Sequence, residues 1–148
     1  MVLGNFCKIQ TARKMVIEKK FHFYAAHRNK NAGEKCGRIH GHTYEVTCAF
    51  QFQEMKNGLT MLFSDIENIV EPIVKQYDHY FILYSADTLC EVLKEADEPF
   101  IELPFETSAE NLAMHFFKLI EIKLPIVKLE LAETKTSKVI YEKQIEHF

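Results

Sequence analysis

The sequence predicts an α+β fold in which antiparallel hairpins alternate with two long helices. Three observations lead there. Residues 40–52 alternate apolar and polar side chains with a period of two, residues 64–77 and those after Thr107 carry apolar stripes at helical spacing, and turn residues separate the strand segments in place of parallel crossover units.

Taken in order, residues 14–27 read as a strand that sets Phe21, Phe23, Ala25 and His27 on one face. RNKNAGEKCGR is polar and glycine-containing, so it reads as a loop carrying Cys36. In the next strand His40, His42, Tyr44, Val46, Cys48, Phe50 and Phe52 share a face, and Gly41 between the histidines lets neighbouring backbone approach. Asn57-Gly58 signals a turn, after which GLTMLF reads as a short returning strand. A helix is predicted over 64–77, opened by a Ser64/Glu67 capping box and kinked by Pro72. A short helix over 87–96 and a brief strand in PFIELPF follow, then a long helix from Thr107 burying Leu112, Phe116, Leu119 and Ile120. The chain closes with PIVKLELAET, where Val127, Leu129, Leu131 and Glu133 share a face, a turn at ETKTSK, and a last strand, KVIYEK.

The 148 residues suit one domain, taken as 1–148, with enough apolar content (47%) to bury a core. A net charge of −3 argues against nucleic-acid binding, and the hydrophobic fraction argues against disorder. Cys7, Cys36, Cys48 and Cys90 form no CxxC pair, so reduced thiols in a cytoplasmic protein are expected. The N-terminal stretch has no apolar core of signal-peptide length, and no segment approaches about 18 uninterrupted apolar residues. Neither secretion nor a membrane partner is expected.

The chemistry concentrates in residues 21–50. Two imidazoles in a His-x-His pair on a strand project to one side, where both can reach one ion, and His27 lies on a strand able to pair with theirs. Three histidines without an obvious fourth ligand leave an open coordination position, as catalytic zinc requires; copper and iron also accept imidazole. The plainer reading, ordinary core or surface histidines, stands beside it. Cys36 is either a small hydrophobe or a reactive group, and its neighbours Lys35 and Arg38 favour the second. Those two cations, with Arg28 or Lys30, are candidates for phosphate binding, against a reading as solvated loop charges. Asp78 and His79 read either as an acid–imidazole pair or as a polar helix end. Glu133 ends an apolar row and needs a partner if buried. Glu110 can simply complete a capping box with Thr107.

FxAAH, then KCGRIHGHTY, DH after a helix, AENLA opening another helix, and ET on a late strand resemble, in that order, the 6-pyruvoyl-tetrahydropterin synthase and 6-carboxytetrahydropterin synthase family. The resemblance runs from about residue 15 onward. AAH with CxxxHGH is its specific part. Three positions depart from the usual pattern: Leu62 stands for an aspartate, Tyr77 for a leucine and Ser108 for a threonine.

The resemblance implies a tunnelling fold, with a four-stranded antiparallel sheet backed on one face by two helices, and sheets joined into an oligomeric barrel, usually a homohexamer built as a dimer of trimers. It implies one zinc ion per subunit on His27, His40 and His42, Cys36 as the catalytic acid or base, and Asp78 and His79 as its relay. Glu133 would anchor the pterin, with Ser108 and Glu110 as further substrate contacts. The implied substrate is 7,8-dihydroneopterin triphosphate. The compact spacing between AAH and Cys36 resembles the queuosine-pathway branch, which releases triphosphate and acetaldehyde to leave 6-carboxy-5,6,7,8-tetrahydropterin. The alternatives are the pyruvoyl branch, which stops after triphosphate elimination, and a non-catalytic pterin-binding member.

Overall fold

The computed structural model describes residues 15–144; Lys14, at the start of the first predicted strand, and Cys7 lie outside them. Two 12-residue strands, β1 (Val16–His27) and β2 (His40–Gln51), pair antiparallel without interruption from Val16 opposite Gln51 to His27 opposite His40. Because side chains alternate, their even-odd pattern sends Phe21, Phe23 and Ala25 of β1 and Tyr44, Val46, Cys48 and Phe50 of β2 into one core. Phe23 and Tyr44 are cross-strand partners with rings stacked at 4.6 Å. The aromatic pair binds the hairpin to the helix layer, since Phe116 meets Phe23 at 5.3 Å.

Helix α1 (Phe63–Lys75) and, after strand β3 (Tyr80–Tyr84), the short helix α2 (Leu89–Glu95) and strand β4 (Ile101–Leu103) lead to helix α3 (Ala109–Glu121). Strands β5 (Ile126–Thr134) and β6 (Ser137–Glu142) form the final hairpin. Helices α1 and α3 lay Ile66, Val70, Ile73 and Val74, and Leu112, Phe116 and Ile120, on the same apolar face of the sheet. This is the predicted α+β arrangement of helices over one face.

The sheet is larger than expected. Six strands run in the order β4-β3-β1-β2-β5-β6, and β3 pairs parallel with β1 while β4 pairs parallel with β3. The sheet is therefore mixed, not four-stranded and antiparallel, and there are three helices. The two added strands are five and three residues long. Segments that short carry too little alternation to define a sheet edge.

Several local expectations also give way to tertiary contacts. Asn57 and Gly58 do form a turn with positive φ, closed by reciprocal Lys56 and Leu59 main-chain hydrogen bonds, but pairing ends there and no strand follows. Residue Phe63 instead begins α1 after an extended Leu62, with no side-chain cap. Ser64 lies inside the first turn, and Glu67 turns outward to Lys19 of β1 at 2.7 Å. Pro72 does not interrupt α1, which runs on to Lys75, because its apolar stripe packs on both sides of the proline.

Candidate active site

His27 ends the buried stripe of β1, and His40 and His42 begin that of β2, so the hairpin itself assembles the three imidazoles. Their rings are 4.6–5.2 Å apart, and one nitrogen from each falls within 4.8 Å of the others. Gly41 eases the close pairing between the histidines, since a Cβ there would approach the Ala25 carbonyl oxygen to a tight 3.3 Å.

Hydrogen bonds orient two of the rings. His27 Nδ1–H donates to the Thr107 carbonyl at 2.7 Å, and His40 Nδ1–H donates to the Arg38 carbonyl at the same distance. Because a carbonyl only accepts, each ring is held in the tautomer that leaves Nε2 with a free lone pair. His27 Nε2 and His42 Nε2 are both buried without a hydrogen-bond partner among the described residues. Burial holds the His27 pKa down, to about 4, and the Thr107 hydrogen bond offsets only part of this; the neighbouring His40 and His42 press it lower. Burial likewise lowers His42, against the Glu133 carboxylate, which pulls it up. Neutral, inward-facing imidazoles with orphaned lone pairs fit a divalent ion of the zinc class.

Residues 28–39 connect β1 to β2, and short-range hydrogen bonds shape them around Cys36. Asn29 N–H donates to the Cys36 carbonyl at 2.7 Å, and Gly37 N–H to the Gly33 carbonyl at 2.9 Å. The exposed Cys36 lines a cavity of about 330 Å³ together with His27, His40, Ser108, Glu110 and Glu133. Four strand-derived and loop-derived groups, His27, His40, Glu133 and Cys36, thus meet there with the start of α3.

Residue roles within this cavity differ from the simplest reading. Ser108 is the N-cap of α3, accepting from Asn111 N–H at 3.3 Å, so Thr107 and Glu110 form no capping box. Thr107 is fully buried and directs its hydroxyl to the Arg28 carbonyl and Asn29 Oδ1, both at 3.4 Å. Glu110 is exposed on the first turn of α3, with no ion pair among the described residues. Glu133 lies against the histidines, Oε1 3.6 Å from His27 Nε2 and Oε2 3.9 Å from His42 Nε2.

Neither Asp78 nor His79 lines this cavity; His79 lines another, which it shares with Tyr24, Gly41, His42 and Thr43. Asp78 Oδ2 holds His79 Nδ1 at 3.0 Å, while the imidazole is 77% exposed. The Tyr24 N–H is the main influence holding the Asp78 carboxyl below the usual carboxylate range, helped by His79 and Lys75. His79 adopts a φ of 64°, a left-handed conformation seldom taken by histidine.

Lys35 and Arg38 are exposed beside Cys36 in the chain, and neither forms an ion pair among the described residues. Arg28 is not free to bind phosphate, because its guanidinium grips Asp87, with Nε donating to Oδ2 at 2.8 Å and Nη2 to Oδ1. Lys30 lies against the Thr88 hydroxyl at 3.3 Å.

Sequence reasoning missed three residues of this region. In sequence Thr107 resembles a cap, Asp87 carries no signal beyond a helix start, and Tyr44 fits the core face. The Tyr44 hydroxyl is buried and unpartnered among the described residues, and burial together with the nearby Glu133 charge pushes its pKa up. Its place two residues beyond the His-x-His pair, on the same face, was the available clue.

Comparison with known proteins agrees with this geometry. The chain is 29% identical over 137 residues to a 6-carboxy-5,6,7,8-tetrahydropterin synthase of Haemophilus influenzae, covering 85% of this chain and 97% of the relative. It is 31% identical over 133 residues to another from Synechocystis, covering 85% and 92%. The fold matches that of the Plasmodium falciparum 6-pyruvoyl tetrahydropterin synthase with a TM-score of 0.69 at 22% identity, over 89% of this chain and 99% of that one. Residues 16–144 match the family model described as 6-pyruvoyl tetrahydropterin synthase, a span that holds the histidine cluster, Cys36 and Glu133 together, and the chain belongs to that family.

Proposed function

We propose that the protein is a zinc-dependent lyase that converts 7,8-dihydroneopterin triphosphate and one water to 6-carboxy-5,6,7,8-tetrahydropterin, releasing acetaldehyde and triphosphate, in the queuosine branch of the family. The observation carrying this reading is the cluster of His27, His40 and His42, two of which line one cavity with Cys36. Relatives named for the carboxy product support the choice of branch.

His27, His40 and His42 would hold the ion, which when bound supplies Lewis-acid polarisation of the substrate's side-chain oxygens. Cys36, on the loop facing them, moves the proton at the adjacent carbon. Glu133 anchors the pterin's N–H edge, a carboxylate being able to take two adjacent donors in a fork, and Ser108 and Glu110, at the α3 end of the cavity, make further substrate contacts. Lys35 and Arg38 neutralise the triphosphate where it leaves the cavity.

Asp78 and His79 serve the Cys36 cavity of a neighbouring copy. Asp78 accepts from His79 Nδ1–H, which turns Nε2 outward on an exposed ring, so the relay is built for something outside its own subunit. A homohexamer, arranged as a dimer of trimers, would provide it. Incubating zinc-loaded protein with dihydroneopterin triphosphate and identifying the products by mass tests the reading: 6-carboxytetrahydropterin with acetaldehyde is expected, and unchanged substrate overturns it. A pyruvoyl product would favour the second branch, whose name the family model and the Plasmodium structure bear.

A further inference from the structure

Thr107 reaches two parts of the site at once. Its carbonyl accepts from His27 Nδ1–H at 2.7 Å. Its hydroxyl, on a residue with no exposed surface, faces the Arg28 carbonyl and Asn29 Oδ1, each at 3.4 Å. One proton serves two acceptors there, so the contact is three-centred.

Asn29 carries the connection onward. Its main-chain N–H donates to the Cys36 carbonyl at 2.7 Å, which closes the loop on itself, and it lines the Cys36 cavity beside His27 and His40. The segment that holds Thr107 is itself fastened, because the Glu106 carbonyl accepts from Asn111 Nδ2 of α3 at 2.9 Å. Glu106 Oε1 also accepts from Asn31 Nδ2 of the loop at 3.0 Å.

Strand pairing fixes His27 opposite His40, but it says nothing about where the exposed loop between them carries Cys36. Such a loop opens at small cost unless contacts from outside hold it. Arg28 and Lys30 tie it towards the start of α2, through Asp87 and Thr88. Among the described residues, Thr107 is the one outside the hairpin and its loop that hydrogen-bonds both to the loop and to a histidine of the cluster.

We propose that Thr107 is a positioning residue for the reaction: its hydroxyl, acting through Asn29, fixes the Cys36 loop relative to the imidazole that its own carbonyl aligns. The inference rests on the proton-transfer role proposed for Cys36 and names what holds that thiol in place. A misplacement of about 1 Å at a reacting group is enough to cost about 10²-fold in rate.

Paired variants of the full chain test the role. Thr107→Val keeps the shape and the main-chain carbonyl but removes the hydroxyl, whereas Thr107→Ser keeps the hydroxyl. Hydrogen exchange read by mass spectrometry, without substrate, compares residues 28–39 with α1 and α3. Thr107→Val should speed exchange in 28–39 about three- to tenfold, the effect of one lost hydrogen bond, and leave both helices at wild-type rates. Zinc affinity, measured by competition with a chromophoric chelator, should stay within about twofold, since the carbonyl that aligns His27 remains. With dihydroneopterin triphosphate, kcat should fall at least about tenfold and KM stay within about twofold. Thr107→Ser should restore both loop protection and kcat.

Wild-type loop exchange in Thr107→Val overturns the proposal, as does a serine variant no better than the valine one. Faster exchange spread through α1 and α3 also overturns it, because that marks a merely structural residue. Zinc affinity weakened about tenfold or more overturns it too, by moving the role to the metal site. If Thr107→Val does not fold, Asn29→Leu removes the acceptor, keeps the main-chain N–H, and is judged by the same results. An opened loop with unchanged kcat overturns this inference alone. Opening confined to 28–39 in a chain whose wild type leaves the triphosphate unchanged overturns the proposed reaction alone.

Discussion

Asp78 Oδ1 accepts a hydrogen bond from the main-chain N–H of Tyr24 at 2.8 Å, and the next residue's N–H, that of His79, donates to the Tyr24 carbonyl at 2.6 Å. Both polar groups of one β1 residue are thereby taken by the two residues preceding β3. The same contacts that dock β3 on β1 hold the His79 imidazole outward, away from the Cys36 cavity of its own chain.

The proposed relay, combined with that separation, predicts a site shared between subunits. Cys36→Ala and His79→Ala should each be nearly inactive alone, while co-expressed or co-refolded mixtures of the two recover activity, because some sites then combine an intact Cys36 with an intact His79. Steady-state turnover of purified mixed oligomers is the measurement. Failure to recover would return the relay to a single chain or exclude it.

Cys36 is a proton-transfer group and not a ligand in this reading. Cys36→Ala should keep bound metal and the thermal transition of the wild type while turnover falls about 10²- to 10⁴-fold. Metal content by elemental analysis, beside kcat, separates the two roles; loss of metal would make Cys36 a ligand.

The ion pair of Arg28 with Asp87 anchors the start of the Cys36 loop to α2. Its side chains are 15% and 6% exposed, and Asp87 Oδ1 also accepts from Leu89 N–H at 2.9 Å. Asp87→Ala leaves a largely buried guanidinium without its partner, so unfolding stability should fall by about 3 kcal/mol. Denaturant titration with unchanged slope checks the value.

His115 gives the fold a pH-dependent contact. Tyr77 O–H donates to its Nε2 at 2.6 Å, and burial, with a smaller effect from Lys118, lowers its pKa below the usual 6.5. The unfolded chain therefore takes up the proton first on acidification. The stability tied to neutral His115 is complete above about pH 6.5 and is lost as pH falls toward the lower folded value. His115→Gln should flatten this part of the acid limb, read as denaturation midpoints between about pH 7 and 5.

Much of this was legible in the residues themselves. Alternation over 40–52 set the two histidines on the core face and the stripe through Phe21, Phe23 and Ala25 did the same for His27, because strand side chains point to one side or the other by parity alone. The two long helices were equally legible, since a buried stripe needs several turns and leaves a repeating mark.

The edge strands were not legible, because three to five residues hold no periodic signal and their pairing depends on Asp78 and His79 meeting Tyr24 across 54 residues of chain. Helix caps failed for a related reason. Thr107 looks like a cap in sequence, yet its hydroxyl is committed to the loop after β1, and Ser108 takes the cap instead.

By itself the sequence determined which groups the fold could bring together: His27, His40, His42, Cys36 and Glu133 all carry motif or parity signals, which are local properties of spacing. Only the tertiary structure decided their partners. Thr107 aligns His27, Glu133 comes to stand against His27 and His42, and His79 lines a cavity that its own Cys36 does not. Those outcomes depend on distances between residues far apart in the chain, which periodicity does not encode and packing does.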